Sequence, residues 1–217
     1  MKIIVLLLIT LFSNVIMAEM KINPLPENLQ KEVSVDINDR VLYPIIKSGD
    51  WGGIKYGAVY TTLVGTEENP EVVIGFGYDT PDNFIFLNYG NSEKIDISAA
   101  VDQAFTNIDA LDVTFTPSKL FDNKLLTASG LPFSSEAILS KKNMLKAHKM
   151  LNAKQLLVSI ARRTGLMVIS KDVSDELLNK FIYLHNDAWN DDSYGNASIT
   201  NRLFVVEGGE IIGSIPL

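Results

Sequence analysis

The chain has 217 residues, 47% of them apolar and 21% charged, with a formal charge of −7 and no cysteine. That length can bury a real hydrophobic core, in one large domain or in two small lobes. The missing thiols exclude disulfides, thiolate nucleophiles and cysteine-ligated zinc or iron–sulfur sites, and the negative balance repels phosphate backbones, so nucleic acid is not an expected partner.

Met1-Lys2 opens the chain, the apolar run from Ile3 to Phe12 follows, and Ser13-Asn14-Val15-Ile16-Met17-Ala18 closes the segment. One positive charge, an apolar stretch of about ten residues and a small closing residue predict a cleavable secretory signal peptide over residues 1–18. An uncleaved anchor is the alternative, but the run is short of the roughly 20 apolar residues that cross a bilayer. Without cysteine there is no attachment point for a lipoprotein's lipid. The expected product is exported, periplasmic or secreted, with no transmembrane domain in the mature chain.

Residues 19–32, with Pro24 and Pro26, form an irregular lead-in. Strand-like runs follow at Val41–Ile46, Tyr56–Val64, Glu71–Tyr78 and Asn83–Leu87. They are rich in β-branched and aromatic residues and separated by turn clusters, which predicts an antiparallel meander. A short helix is expected from Ser98 to Asn107, capped by Ser98 or Asp96, and then strands near Leu111–Thr116 and Lys124–Thr127. Ser129-Gly130-Leu131-Pro132 breaks the pattern.

Beyond it the pattern reads helix Ser135–Leu151, strand Gln155–Ala161, turn Arg162–Gly165, strand Leu166–Ser170 and helix Ser174–Trp189. Strand Arg202–Val206, a Gly208-Gly209 hairpin turn and strand Ile211–Ile215 complete it. The C-terminal half is thus α-β-β-α-β-β. The expected fold class is α+β with a largely antiparallel sheet, which argues against a doubly wound nucleotide-binding fold. A β-rich α+β lobe covers 33–130 and the α-β-β-α-β-β lobe 131–217, unless the two form one continuous domain.

The segment Leu156-Leu157-Val158-Ser159-Ile160-Ala161-Arg162-Arg163-Thr164-Gly165-Leu166-Met167-Val168-Ile169 lies between two helices and is followed by Leu203-Phe204-Val205-Val206. With these flanks it resembles the C-terminal part of the uncharacterised YtpQ-like family of bacterial proteins. Val41-Leu42-Tyr43-Pro44-Ile45-Ile46-Lys47 is similar to an early segment of that family. The family tends to place a proline before its arginine and an acid after it, where this chain has Ala161 or Arg162 and Thr164. The resemblance covers about a third of the chain. It implies an α+β fold, carries no reaction, and marks Arg163 as a binding candidate.

Candidate chemistry is sparse. The only histidines are His148 and His185. His185 falls inside the apolar arc of Leu177, Leu178, Phe181, Ile182, Leu184, Ala188 and Trp189, as expected for a core histidine packed on the sheet. Its functional alternative is a catalytic base, with Asp187 beside it in sequence. Asp191 and Asp192 are candidate ligands for a hard cation. The calcium-loop spacing fails, however, because Tyr194 falls at the fifth position and Asn201 at the twelfth, where a bidentate Glu is required, and a polar helix terminus explains the run as well. His148 has no acid nearby in sequence to orient it. Gly75-Phe76-Gly77 lacks the third glycine of a dinucleotide fingerprint. No cofactor is expected.

Two features suggest binding. Trp51, inside Gly49-Asp50-Trp51-Gly52-Gly53, reads either as an exposed binding anchor or as a lid folded back on the core. Lys142, Lys146 and Lys149 follow i, i+4, i+7 spacing, in a stretch from Ala137 to Lys171 that has eight basic residues and no acid. Such a face suits an acidic protein partner, unless Asp175, Glu176 and Asp187 of the next helix compensate it. The reading favoured by the absence of a complete catalytic set is an exported, non-enzymatic binding or interaction protein, of an inhibitor or immunity-like kind. The alternative is a hydrolase or metal-dependent enzyme centred on His185 and the nearby aspartates.

Overall fold

The computed structural model describes residues 40–80, 83–90, 95–193 and 195–217. The expected export segment and the lead-in over 19–32 lie outside the described residues. Among the described residues the strands are β1 (Leu42–Ser48), β2 (Tyr60–Gly65), β3 (Pro70–Asp79), β4 (Phe84–Phe86), β5 (Thr116–Pro117), β6 (Leu125–Ser129), β7 (Gln155–Ser159), β8 (Gly165–Ser170), β9 (Arg202–Glu207) and β10 (Glu210–Pro216). The helices are α1 (Ile97–Ala110), α2 (Lys141–Leu151) and α3 (Asp175–Asn190). The strands form two antiparallel sheets: a four-stranded one in which β3 pairs with β1, β2 and β4, and a six-stranded one ordered β10-β9-β7-β8-β6-β5. The fold is α+β.

Three expectations are corrected. The first strands are not a simple meander, because β1 pairs with β3 and not with β2. The segment Leu111–Phe115 is extended but joins no sheet. Its backbone bonds go to α2 side chains: Val113 N–H donates to Asn143 Oδ1 (3.0 Å), while Asn143 Nδ2 and Lys146 Nζ, both at 2.9 Å, donate to the Leu111 and Val113 carbonyls. The helix expected from Ser135 is split into a 3-10 turn over Ser135–Leu139 and α2. Ser140 separates them. Its backbone is extended, its hydroxyl accepts from Asn143 N–H (3.2 Å) and it donates to Asp109 Oδ1 (2.7 Å), which makes it an N-cap.

Alternation along the strands divides the core. On one face of the six-stranded sheet Leu126, Leu156, Val158, Val168, Phe204 and Val206 pack with Met144 and Ala147 of α2 and with Ile46 and Val72 of the other sheet. On the opposite face Leu125, Leu157, Ile169, Leu203 and Val205 lie under α3, whose inward residues are Leu177, Phe181 and His185. The two sheets therefore share a core. An ion pair across them, Arg202 to Glu71 at 2.7 Å, adds a polar link.

The Ser129–Pro132 break falls just after β6, and β6 itself pairs with β8 in the six-stranded sheet. Gly208 and Gly209 both have positive φ, 60° and 83°, as the predicted two-residue hairpin turn requires. Among the described residues no helix is long and apolar enough to cross a membrane.

Candidate functional site

The turn between β7 and β8 carries two arginines with different fates. Arg162 is used up by the fold. Its Nε donates to the Ala188 carbonyl (2.6 Å), one terminal nitrogen to Trp189 O (2.9 Å) and Asp192 Oδ1 (3.0 Å), and the other to Asn196 O (3.0 Å). The first two carbonyls belong to the last turn of α3, where a cation meets both the orphan acceptors and the negative end of the helix dipole. Arg163 has no such role. Its backbone N–H bonds Ala197 O, but its guanidinium makes no hydrogen bond or ion pair among the described residues, and its Nε is buried.

Arg163 lines a cleft of about 490 Å3, together with Ser129, Gly130, Ser159, Thr164, Met167 and Asn196. A larger groove of about 870 Å3 lies elsewhere, beside Leu120, Met150 and Val173. None of the buried polar atoms that lack a partner lines that larger groove. Two of its three lysines are answered locally, Lys180 by Glu176 at 2.6 Å and Lys154 by Glu207 at 3.4 Å, and the third, Lys124, is open to solvent. Chemistry rather than size therefore favours the Arg163 cleft.

Behind the turn sits a buried acid. Glu136 has no exposed surface, and both of its oxygens are occupied. Ile46 N–H, on the outer edge of β1, donates to Oε1 (3.1 Å), and the Ser135 hydroxyl donates to Oε2 (2.8 Å). Thr164 N–H in turn donates to Ser135 Oγ (3.2 Å), so the end of β1 and the arginine turn clasp the same Ser135-Glu136 pair. Burial pushes the Glu136 carboxyl up, against its hydrogen bonds and the nearby Arg163 charge.

Lys47 follows Ile46 on the strand. Its ammonium lies 5.8 Å from the centre of the Trp51 ring and 5.5 Å from that of Phe86, and the two rings contact each other at 4.4 Å. Burial lowers the Lys47 pKa, Arg163 lowers it further, and Glu136 opposes them. Trp51 is thus the lid and not the exposed anchor. Its ring fills the space above Gly53, where any Cβ would collide with it, and with Phe86 it packs closely over Gly75.

The remaining candidates do not converge. His185 is fully buried, and its Nδ1 lies 2.8 Å from Ser159 Oγ. Burial lowers its pKa and the Asn201 side chain opposes the shift, yet His185 Nε2 and Asn201 Oδ1 both lack a partner of good hydrogen-bond geometry. Asp187 is exposed on the other side of α3. Asp192 is 98% exposed and paired with Arg162, and among the described residues no cluster of three or more metal-ligating side chains exists. His148 donates from Nδ1 to the Ala153 carbonyl (2.8 Å), a local tie at the end of α2.

The basic face of α2 is partly neutralised: Lys146 pairs with Asp112 at 3.0 Å, and Lys141 with Glu210 at 2.6 Å. Lys142 lies within electrostatic reach of Asp112. The compensating acids come from other elements and not from α3.

Of the residues singled out in the sequence, Trp51 packs against Phe86 beside Lys47, Arg163 lines the cleft, and Lys142, Lys146 and Lys149 stay on another surface. Lys47 and Glu136 carry weaker signals. Lys47 continues the inward phase of Tyr43 and Ile45, and Glu136 is an acid inside the apolar stretch around Phe133 and Ile138. Comparison with family models, curated proteins and solved structures gives no match, so the site is read from its own chemistry.

Proposed function

We propose that the chain is an exported, non-enzymatic binding protein that holds an anionic group of its ligand at the Arg163 cleft. The observation that carries this reading is a half-buried guanidinium that lines a cleft and has no hydrogen-bond or ion-pair partner among the described residues. Its accessible terminal nitrogens offer a bound anion charge-assisted hydrogen bonds. The overall charge of −7 works against anions at long range. That repulsion is screened over about 8–10 Å in physiological salt, whereas a contact inside the cleft is not. The hydrolase alternative gains no support, since His185 is enclosed and its candidate partners point elsewhere.

The test is calorimetric titration of the full chain with acetate and with sulfate, beside Arg163→Gln. Saturable binding that the variant loses supports the reading. No binding of either anion, or equal binding by the variant, rules it out. For export, mass analysis of the protein recovered outside the cytoplasm should show a chain beginning near Glu19; a product retained inside with Met1 intact refutes that part.

A further inference from the structure

The Arg163 cleft opens where α3 stops short of covering the six-stranded sheet. Thr127, Met167 and Ser159 are cross-strand neighbours in one row, Thr127 opposite Met167 and Met167 opposite Ser159. Two residues back along the same strands, Leu125, Ile169 and Leu157 lie under α3. Side chains two apart share a face, so the row continues that face toward the end of the helix. All three of its residues line the cleft, and so does Ala188, in the last turn of α3.

This floor holds one fixed polar group. Ser159 is only 1% exposed, and its Oγ lies 2.8 Å from His185 Nδ1, the one side-chain hydrogen bond of Ser159 among the described residues. The imidazole is itself fully buried, so it holds the hydroxyl in place from below. A hydroxyl has one proton and two lone pairs, and His185 uses only one of the three. A buried polar group with capacity to spare discriminates, because a ligand that lacks the matching atom leaves it unanswered.

The rest of the lining narrows the ligand. It contains no acid, and of its two cations Arg162 is consumed by the carbonyls of Ala188, Trp189 and Asn196 and by Asp192. That leaves Arg163 as the uncommitted charge, beside apolar Ala161, Met167 and Ala188. A single carboxylate balances it, and an aliphatic body suits the apolar lining. A ligand hydroxyl both donates and accepts, so it pairs with Ser159 whichever partner of the Ser159–His185 bond supplies the proton.

We propose that Ser159, positioned by His185, is the specificity-determining contact of this cleft, and that the ligand is a small aliphatic monocarboxylate bearing a hydroxyl. The carboxylate sits on Arg163 and the hydroxyl on Ser159. This rests on the Arg163 reading above and names its ligand class.

Calorimetry of the full chain tests it by comparing hexanoate with hexanoates hydroxylated at the second, third, fifth or sixth carbon, which scans the span between the two contacts at constant chain length. At least one hydroxylated acid should bind at least about tenfold tighter than hexanoate. In Ser159→Ala that preference should fall below about twofold, with hexanoate affinity unchanged. Ser159→Cys, which keeps the volume but is a weak hydrogen-bond partner, should behave in the same way. Hexanoate that binds as tightly as every hydroxylated acid overturns the proposal, and so does a preference that survives either substitution. In both cases hexanoate binding that Arg163→Gln loses leaves the broader reading intact. Failure of every carboxylate removes the proposal, and failure of sulfate as well removes both. The ratio in the unaltered chain needs no variant, so poor folding of Ser159→Ala does not spare the proposal.

Discussion

Replacing Glu136 by alanine strips the seam of its carboxyl acceptor. Two buried donors lose their partner, the Ile46 N–H at 3.1 Å and the Ser135 hydroxyl at 2.8 Å. Each orphaned donor costs about 1–3 kcal/mol, and a small cavity adds to this. Against that, a fully buried carboxylate no longer has to be desolvated, which offsets part of the loss. The expected net destabilisation is about 2–4 kcal/mol at neutral pH. Glu136→Gln keeps an oxygen for Ile46 and removes the charge, so it should cost less than about 1 kcal/mol.

The pH dependence separates the two terms. Burial raises the folded pKa of Glu136 above its unfolded value. The native state then keeps a proton that the unfolded chain has released, so the favourable contribution is complete below the unfolded pKa, near 4.5, and fades as pH rises through the folded value. Relative to the wild type, the glutamine variant should therefore gain stability between pH 5 and 7, with a slope of at most about 1.4 kcal/mol per pH unit. Urea unfolding at both pH values measures this. An alanine variant within about 1 kcal/mol of wild type would refute the acceptor role, and a glutamine gap that stays flat with pH would refute the raised pKa of the buried carboxyl.

His185 carries the opposite sign. Its folded pKa is lowered by burial, so wild-type stability should fall as pH drops below about 6.5, where the unfolded chain takes up a proton that the native state refuses. His185→Ala should remove that slope and cost about 2–4 kcal/mol at pH 7.5 through the cavity and the stranded Ser159 hydroxyl, as read by urea unfolding. Arg162→Ala should cost about 2 kcal/mol and speed amide exchange in residues 187–190, because the carbonyls it caps lose their donors, while Asp192→Ala should be nearly silent. Lys146→Glu, which sets an acid against Asp112, should destabilise by about 1 kcal/mol, whereas Lys149→Glu should stay within about 0.5 kcal/mol of wild type in the same assay.

Elements whose order depends on local pattern were legible in the sequence. The Gly208-Gly209 turn, the Asp96 cap of α1 and the apolar arc of α3 each follow from residues within a few positions of one another. What failed depended on distant partners. Leu111–Phe115 looks like a strand by composition, but Asn143, 30 residues away from Val113, takes its backbone bonds. The Glu136 site is harder still, since its donor Ile46 lies 90 positions away on another sheet. A basic stripe on α2 is visible by spacing, yet its compensation by Asp112 and Glu210 is not, because those acids reach it only through the fold. Composition therefore points to the lysine-rich helix, whereas the half-buried guanidinium without a partner sits on a turn.

Ligand and proton should be coupled at this seam. The groups that face Glu136 are Lys47 on β1 and Arg163 on the β7–β8 turn, both positive. An anion seated at the Arg163 guanidinium offsets that charge and pushes the carboxyl's pKa higher still. The shift draws protons onto the complex and releases none. By linkage, affinity for the anion must then rise as pH falls. Sulfate is the suitable probe, since it does not titrate in this range and phosphate does. Binding heats measured in buffers of different ionisation enthalpy should show net proton uptake that shrinks in Glu136→Gln. Proton release, or uptake that the glutamine variant leaves unchanged, would mean that the carboxyl does not sense the bound ion and that the anion sits elsewhere.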